Sequence, residues 1–200
     1  MNTTAKGNAF ENKVFNHINN ELEDNSLGLN PTSCKVFKKK AYYSKDREAD
    51  IIVDISIEVW LPNADKWSIL WVWECKDLSK PLPVDDVEEF KAKLNQIGGV
   101  NIKGSFALTS SMQKGALNYA KNHGISVVRF LPDNQVKHIF YHMTPDMIRL
   151  NPNEFNKAIT TQNFTGVNRF FYSIDGDDLF GDWITLFKST LKGMDYPITS

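Results

Sequence analysis

The sequence WSILWVWECK, at 67–76, decides the fold of this chain. Residues 67–75 are apolar on both faces of an extended chain, which is typical of a central strand covered on each side. In the preceding segment, 51–60, the odd-numbered residues from 51 to 59 are all Ile or Val, which predicts a strand with one apolar face. Pro62-Asn63-Ala64-Asp65 supplies a turn between the two segments. An antiparallel hairpin is therefore predicted.

The flanking segments predict an α/β fold. Phe10, Val14, Ile18 and Leu22 recur every four residues and indicate an amphipathic helix, and a lysine-rich strand is expected at 33–43. Downstream of the hairpin, helical and strand patterns alternate up to residue 131, which favours parallel pairing with crossover helices. We expect a mixed central β-sheet, an antiparallel hairpin plus parallel strands, flanked by helices. It forms a core over 1–135, and a C-terminal extension over 136–200 packs on it, with an edge strand at 136–141 and a helix at 179–191.

Composition excludes a disordered chain, a collagen-like repeat and a disulfide-held scaffold. Of 200 residues, 42% are hydrophobic, enough to form a core without disulfides. The 23 basic and 24 acidic residues give a net charge of −1, so binding to nucleic acid through overall charge alone is not expected. With two cysteines, no apolar signal sequence near the N-terminus and no long apolar run, a cytoplasmic protein without a membrane segment is expected.

The tripeptide Glu74-Cys75-Lys76 is the candidate chemical motif. Alternate side chains of a strand share a face roughly 6.6 Å apart, so Glu74 and Lys76 are predicted to act at one site. The same spacing occurs at Glu11-Asn12-Lys13 and Glu89-Phe90-Lys91, but those segments are predicted helices. Positions two apart on a helix do not face each other. Of the three tripeptides, only Glu74-Cys75-Lys76 is therefore predicted to place its acidic and basic side chains at one site.

Asp50 begins the preceding strand and is predicted to meet Glu74 at the end of the next one. Two carboxylates about 4 Å apart repel by roughly 4 kcal/mol at an effective dielectric constant of 20. A divalent cation neutralises such a pair, and oxygen ligands favour Mg²⁺ or Mn²⁺. The backbone carbonyl of Cys75 is a further candidate ligand. Lys76 would then lie beside the metal and orient a water or stabilise charge on a phosphate.

At this point the sequence resembles the PD-(D/E)xK nuclease superfamily, and within it the Mrr-type restriction endonuclease domains. The resemblance rests on four segments that occur in family order over about 120 residues: KGNAFENKVF (6–15), ADIIVD (49–54), WECK (73–76) and ALTSSMQKGALNYAKNHGI (107–125). It implies a restriction endonuclease-like core and Mg²⁺-dependent hydrolysis of DNA phosphodiester bonds.

The resemblance also implies roles for individual residues. Asp50 and Glu74 would bind the metal, Lys76 would assist the attacking water, and Glu11 would be an acidic residue contributed by the first helix. Ala49 stands where the superfamily pattern has proline. Asp54, on the same strand face as Asp50, is the alternative ligand if the register differs.

A DNA partner fits the basic residues that precede Asp50. Phosphate contacts are expected from the following residues: Lys35, Lys38, Lys39, Lys40, Lys45 and Arg47. Cleavage of both strands of a duplex requires two active sites, which is consistent with a homodimer. Two alternatives stay open: a junction-resolving or otherwise structure-specific nuclease, and a non-catalytic nucleic-acid-binding or protein-docking module on a nuclease fold.

Overall fold

A computed structural model describes residues 3–23, 31–97, 101–137, 150–167 and 169–192. Within these ranges the helices are α1 (Thr3–Glu23), α2 (Val84–Ile97), α3 (Lys114–Asn122), α4 (Pro152–Thr160) and α5 (Trp183–Lys192). The strands are β1 (Cys34–Ser44), β2 (Ala49–Val59), β3 (Ile69–Lys76), β4 (Ile102–Leu108), β5 (Ile125–Phe130), β6 (Val136–Lys137), β7 (Gly166–Val167), β8 (Phe171–Asp175) and β9 (Asp178–Phe180). None of the described helices combines the length and the apolar character needed to cross a lipid bilayer.

Seven strands form one mixed sheet in the order β1-β2-β3-β4-β5-β8-β9. The pairs β1–β2 and β2–β3 are antiparallel, β3–β4 and β4–β5 are parallel, and β5–β8 and β8–β9 are antiparallel. The predicted mixed sheet, with an antiparallel hairpin and parallel strands, is confirmed. β3 lies in its interior, as expected from a strand that is apolar on both faces.

Helices cover both faces of the sheet and create two apolar cores. On one face, α1 and α5 pack against the sheet, and α1 contributes the predicted stripe Phe10, Val14, Ile18 and Leu22. On the other face, the apolar sides of α2, α3 and α4 pack against the sheet. Burial of apolar surface in both cores stabilises β3 in place, since that burial is the main favourable contribution to folding.

The apolar residues of β2 do not all face one side, contrary to the expectation from their alternation. The odd-numbered residues from 55 to 59 pack in the core with α1 and α5, whereas Ile51 and Val53 pack in the core with α2. The change occurs around Asp54. In the neighbouring strand the corresponding position is near Lys39, whose backbone is left-handed with φ of 54°. A left-handed residue interrupts the pleat. The odd-numbered residues before this point therefore face one side of the sheet, and those after it face the other side.

Residues of the predicted C-terminal extension join the same sheet and cores. β8 pairs with β5, and Trp183 and Phe187 of α5 pack against Trp73 and Trp71 of β3, with ring centroids 5.2 and 4.4 Å apart. The helix predicted at 179–191 begins at Trp183. The strand predicted at 136–141 is described only at Val136–Lys137, where it pairs with β7 in a separate two-stranded sheet; residues 138–141 lie outside the described ranges.

Candidate functional site

The candidate site lies where β2 and β3 separate. Their pairing runs from Val59 opposite Ile69 to Ile55 opposite Trp73. Beyond that point β2 continues beside β1, and β3 continues beside β4. The next residue on each strand is acidic, Asp54 on β2 and Glu74 on β3. This register places the two carboxylates at the fork between the strands.

A hydrogen bond spans the fork. The backbone N–H of Cys75 donates to Oδ2 of Asp54 over 2.8 Å. The last backbone pair of the two strands is Ile55 with Trp73, and this side-chain bond continues the contact between the strands beyond it. It fixes the Asp54 carboxylate against the Glu74-Cys75-Lys76 segment.

Asp50 does not meet Glu74, which corrects the predicted pairing. Asp50 is exposed and lies opposite Tyr43 on β1. It is four residues from Asp54, about 13 Å along the strand. β3 ends at Lys76, so no β3 residue lies beside Asp50. The hairpin register therefore brings the alternative acid, Asp54, to the motif.

Glu74 and Lys76 form the predicted pair on one strand. Nζ of Lys76 is 3.1 Å from Oε1 of Glu74, and Nζ of Lys93, from α2, is 3.8 Å from the same oxygen. Burial raises the pKa of Glu74, and the charge of Asp54 raises it further, against the opposing effect of the two lysines. The fork therefore disfavours the charged form of Glu74.

Lys76 remains a cation at the site. Burial acts to lower its pKa, but the charge and hydrogen bond of Glu74, together with the charges of Asp86 and Asp54, outweigh burial, and the pKa is raised. A lysine that keeps its proton does not serve as a general base at neutral pH. It can hold a water molecule by hydrogen bonding and stabilise negative charge.

Glu11 joins the site from α1. The residue is only 8% exposed, and its Oε1 accepts a hydrogen bond of 2.9 Å from Nζ of Lys39. The same nitrogen is 2.5 Å from Oδ1 of Asp54. Oε2 of Glu11 is buried without a hydrogen-bond partner among the described residues. The structure thus links Glu11 to Asp54 through one lysine.

Most of the predicted phosphate-binding residues are engaged by other side chains. Lys38 donates to Asn12, and Nε of Arg47 donates to Gln96 over 2.5 Å. Lys40 is 2.6 Å from Glu58, a buried carboxylate of β2 that sequence reasoning did not identify. The remaining predicted residues are placed as follows: Lys39 lies in the site, Lys35 lies over the Trp60 ring, and Lys45 is exposed beside the β1–β2 turn.

Sequence reasoning did not identify Lys39 and Lys93 as neighbours of the carboxylates. Both contacts join residues far apart in the chain, and no local pattern encodes them. For Asp54 a signal existed, since counting the antiparallel register outward from the predicted turn brings residue 54, and not residue 50, to within one position of Glu74. The described residues contain no cluster of three or more His, Cys, Asp or Glu side chains close enough to hold a metal ion.

Comparison of the chain with family models, with curated proteins and with solved structures gives no match. The site is therefore interpreted from its own residues and geometry.

Proposed function

We propose that this chain is a metal-dependent endonuclease that hydrolyses phosphodiester bonds in DNA. The observation that carries the proposal is the fork, where Asp54 is hydrogen-bonded to the strand that presents Glu74 and Lys76. Glu11 is connected to Asp54 through Lys39. These are the residue types that the resemblance to PD-(D/E)xK nucleases implies, with Asp54 in the role first expected of Asp50.

The architecture supports the same proposal. The mixed sheet, with a β-hairpin that leads into parallel strands and helices on both faces, is compatible with a restriction endonuclease-like core. Aromatic residues of α5 pack behind the strand that carries Glu74 and Lys76. A rigid strand of this kind is what a hydrolytic site needs, because catalytic groups act only when held in a fixed geometry.

The donor atoms at the fork suit Mg²⁺ or Mn²⁺. The carboxylates of Asp54 and Glu74 and the backbone carbonyl of Cys75 are hard oxygen donors, and Mg²⁺ binds through one or two carboxylates while it keeps several waters. Oε2 of Glu11, which is buried and has no hydrogen-bond partner within the ranges that the structure describes, offers another oxygen. When bound, the cation supplies Lewis acidity toward a phosphate oxygen and lowers the pKa of water.

The chain's own residues perform the remaining tasks in this proposal. Asp54 and Glu74 hold the cation, and the N–H of Cys75 orients Asp54. Lys76, kept protonated by Glu74, hydrogen-bonds the attacking oxygen and stabilises the negative charge that develops on the phosphate. Water then forms a bond to phosphorus in line as the P–O3′ bond breaks; the attacking water loses a proton to solvent and the leaving 3′ oxygen takes one from solvent.

The direct test is incubation of purified protein with supercoiled plasmid in Mg²⁺ or Mn²⁺, with and without EDTA. The proposal predicts metal-dependent nicking that is lost in Glu74→Ala and Lys76→Ala. Equal activity in the variants would identify a contaminating nuclease. A four-way junction compared with linear duplex of the same length separates a structure-specific nuclease from a general one, and the mass of the protein in solution tests the homodimer.

A non-catalytic binding module is the second candidate, because lysines already compensate the carboxylates. Glu74 contacts Lys76 and Lys93, and Asp54 contacts Lys39. An ion network of this kind is stable without a metal. Calorimetric titration with Mn²⁺ separates the candidates: a nuclease site binds Mn²⁺ in a manner abolished by Asp54→Ala, whereas a module without a metal site shows no binding sensitive to that change.

A further inference from the structure

Lys39 occupies an unusual place for a surface lysine. Its ammonium lies 2.9 Å from Oε1 of Glu11 and 2.5 Å from Oδ1 of Asp54, between two carboxylates from different elements. The ammonium donates a hydrogen bond to each of the two carboxylates. The amine therefore places a positive charge against Glu11 and against Asp54, one of the two carboxylates that would hold the cation.

The backbone at Lys39 supports this placement. Its φ of 54° is left-handed, a conformation that residues with a side chain rarely adopt. The pairs on either side, Lys38 with Ile55 and Lys40 with Val53, keep the same register, so the distortion is confined to the position opposite Asp54. Unfavourable backbone conformations that persist inside a regular strand are concentrated at functional sites.

The side chain of Lys39 is much more exposed than those of Glu11 and Asp54, so Lys39 is the one that has room to move. The Lys39 side chain is 44% exposed, whereas those of Glu11 and Asp54 are 11% and 17% exposed. The ammonium can leave for solvent by rotation of a long flexible side chain. The carboxylates are fixed by α1 and by the bond to Cys75, and Oε2 of Glu11 is buried with no hydrogen-bond partner in the described part of the chain.

We propose that Lys39 is a tethered counter-ion, which bridges Glu11 and Asp54 and compensates one of their two negative charges in the metal-free protein, and which is displaced when a divalent cation binds. The inference rests on the metal site of the proposed function. Without a cation the two carboxylates would repel each other, and the lysine removes that repulsion at the cost of competing with the metal.

The first test is calorimetric titration of the full chain with Mn²⁺ in three forms: wild type, Lys39→Met and Lys38→Met. Lys38 is a matched control, because it is the adjacent lysine and contacts the neutral Asn12. Removing the competitor is expected to tighten Mn²⁺ binding by about tenfold in Lys39→Met, with little change in Lys38→Met. Equal or weaker binding in Lys39→Met, or no binding in any form, would overturn the proposal.

A second test uses the wild-type protein and needs no variant. Amine acylation followed by mass spectrometry reports how fast each lysine reacts. Release of Lys39 predicts that Mg²⁺ raises its labelling rate several-fold relative to Lys38. An unchanged ratio would overturn the proposal even if Lys39→Met folds poorly.

Plasmid nicking by the same samples separates this inference from the proposed function. Tighter Mn²⁺ binding in Lys39→Met without nicking by the wild type supports the counter-ion and refutes the nuclease. Metal-dependent nicking with equal Mn²⁺ affinity in all three forms supports the nuclease and refutes the counter-ion.

Discussion

Oδ2 of Asp54 accepts a 2.8 Å hydrogen bond from the backbone N–H of Cys75, across the point where β2 and β3 separate. The carboxylate takes over the role of the backbone acceptor just past the last strand pair. This one contact selects Asp54, and not Asp50, as the acid that faces the Glu74-Cys75-Lys76 motif.

Asp54→Asn is expected to abolish metal-dependent nicking. The amide keeps an oxygen acceptor for the N–H of Cys75 but loses the negative charge that holds a cation. A loss of several kcal/mol of metal-based stabilisation corresponds to a rate decrease of about 100-fold or more. Initial rates of plasmid nicking at saturating Mg²⁺ measure it.

Asp50→Asn is the matched control for that variant, since it makes the same chemical change on the same strand. Its nicking rate is expected to stay within about twofold of wild type, because the exposed Asp50 lies about 13 Å from Asp54. The reverse pattern, with Asp50→Asn inactive and Asp54→Asn active, would restore the first expectation and reject the register argument.

Lys76→Met is expected to lower the nicking rate by roughly 100- to 1000-fold, the usual effect of removing one group that stabilises transition-state charge. Lys93→Met removes the other lysine near Glu74, which is 3.8 Å away against 3.1 Å for Lys76. Lys93 lies on α2 and has no catalytic role in this account, so its variant should keep most of the activity. Equal losses in both variants would show that the lysines act only through the charge of Glu74.

Glu74→Gln is expected to stabilise the metal-free protein at pH 7. Burial and Asp54 raise the pKa of Glu74 in the folded state, so the folded protein favours the protonated form. The wild type then loses stability as pH rises from the pKa of the unfolded chain through the higher folded pKa, and the uncharged variant does not. The gain at pH 7 should be about 1 kcal/mol and vanish below the unfolded pKa.

Urea denaturation at pH 4 and pH 7 measures this difference. Glu88→Gln, an exposed position on α2, is the control and should change the free energy of unfolding by less than about 0.5 kcal/mol. A destabilised Glu74→Gln at pH 7 would mean that the ion pairs of Glu74 outweigh its burial.

Arg129→Met is expected to destabilise the fold without touching the site. Arg129 is 1% exposed and donates hydrogen bonds to the backbone carbonyls of Ala158, Thr161 and Gln162 at the end of α4. Burial lowers its pKa to about 10, so the guanidinium stays charged at neutral pH. Leaving these carbonyls without donors should cost roughly 2–4 kcal/mol in the free energy of unfolding.

Urea denaturation of Arg129→Met and of Arg47→Met, an arginine in the exposed β1–β2 turn, gives the comparison. The Arg47 variant should lie within about 0.5 kcal/mol of wild type. A small effect at Arg129 would indicate that α4 is held by its apolar face alone.

The fold was predictable where one local pattern carried the information. Residues 69–73 are apolar at every position and form a strand inside the sheet, and the four-residue stripe of α1 is buried as expected. Glu74 and Lys76 were predictable as a pair because the period of a strand is two. In these cases the local backbone determines which side chains meet.

The remaining part of the site depends on contacts that the local pattern does not encode. Asp50 and Asp54 share one strand and an even spacing, so only the register against β3 distinguishes them. A slip in register leaves each strand's own pattern unchanged. The position of Lys39 depends on its own left-handed backbone within β1. Its contact with Glu11, which is 28 positions away in the sequence, depends on the packing of α1.

The most direct measurement is a crystal structure of the protein soaked with Mn²⁺, with anomalous diffraction to locate the metal. The account predicts one Mn²⁺ peak at the fork, within coordination distance of Asp54 and Glu74, with the Lys39 side chain turned to solvent. Saturating Mn²⁺ with no peak at the fork, or a peak bound by Asp50, would contradict it.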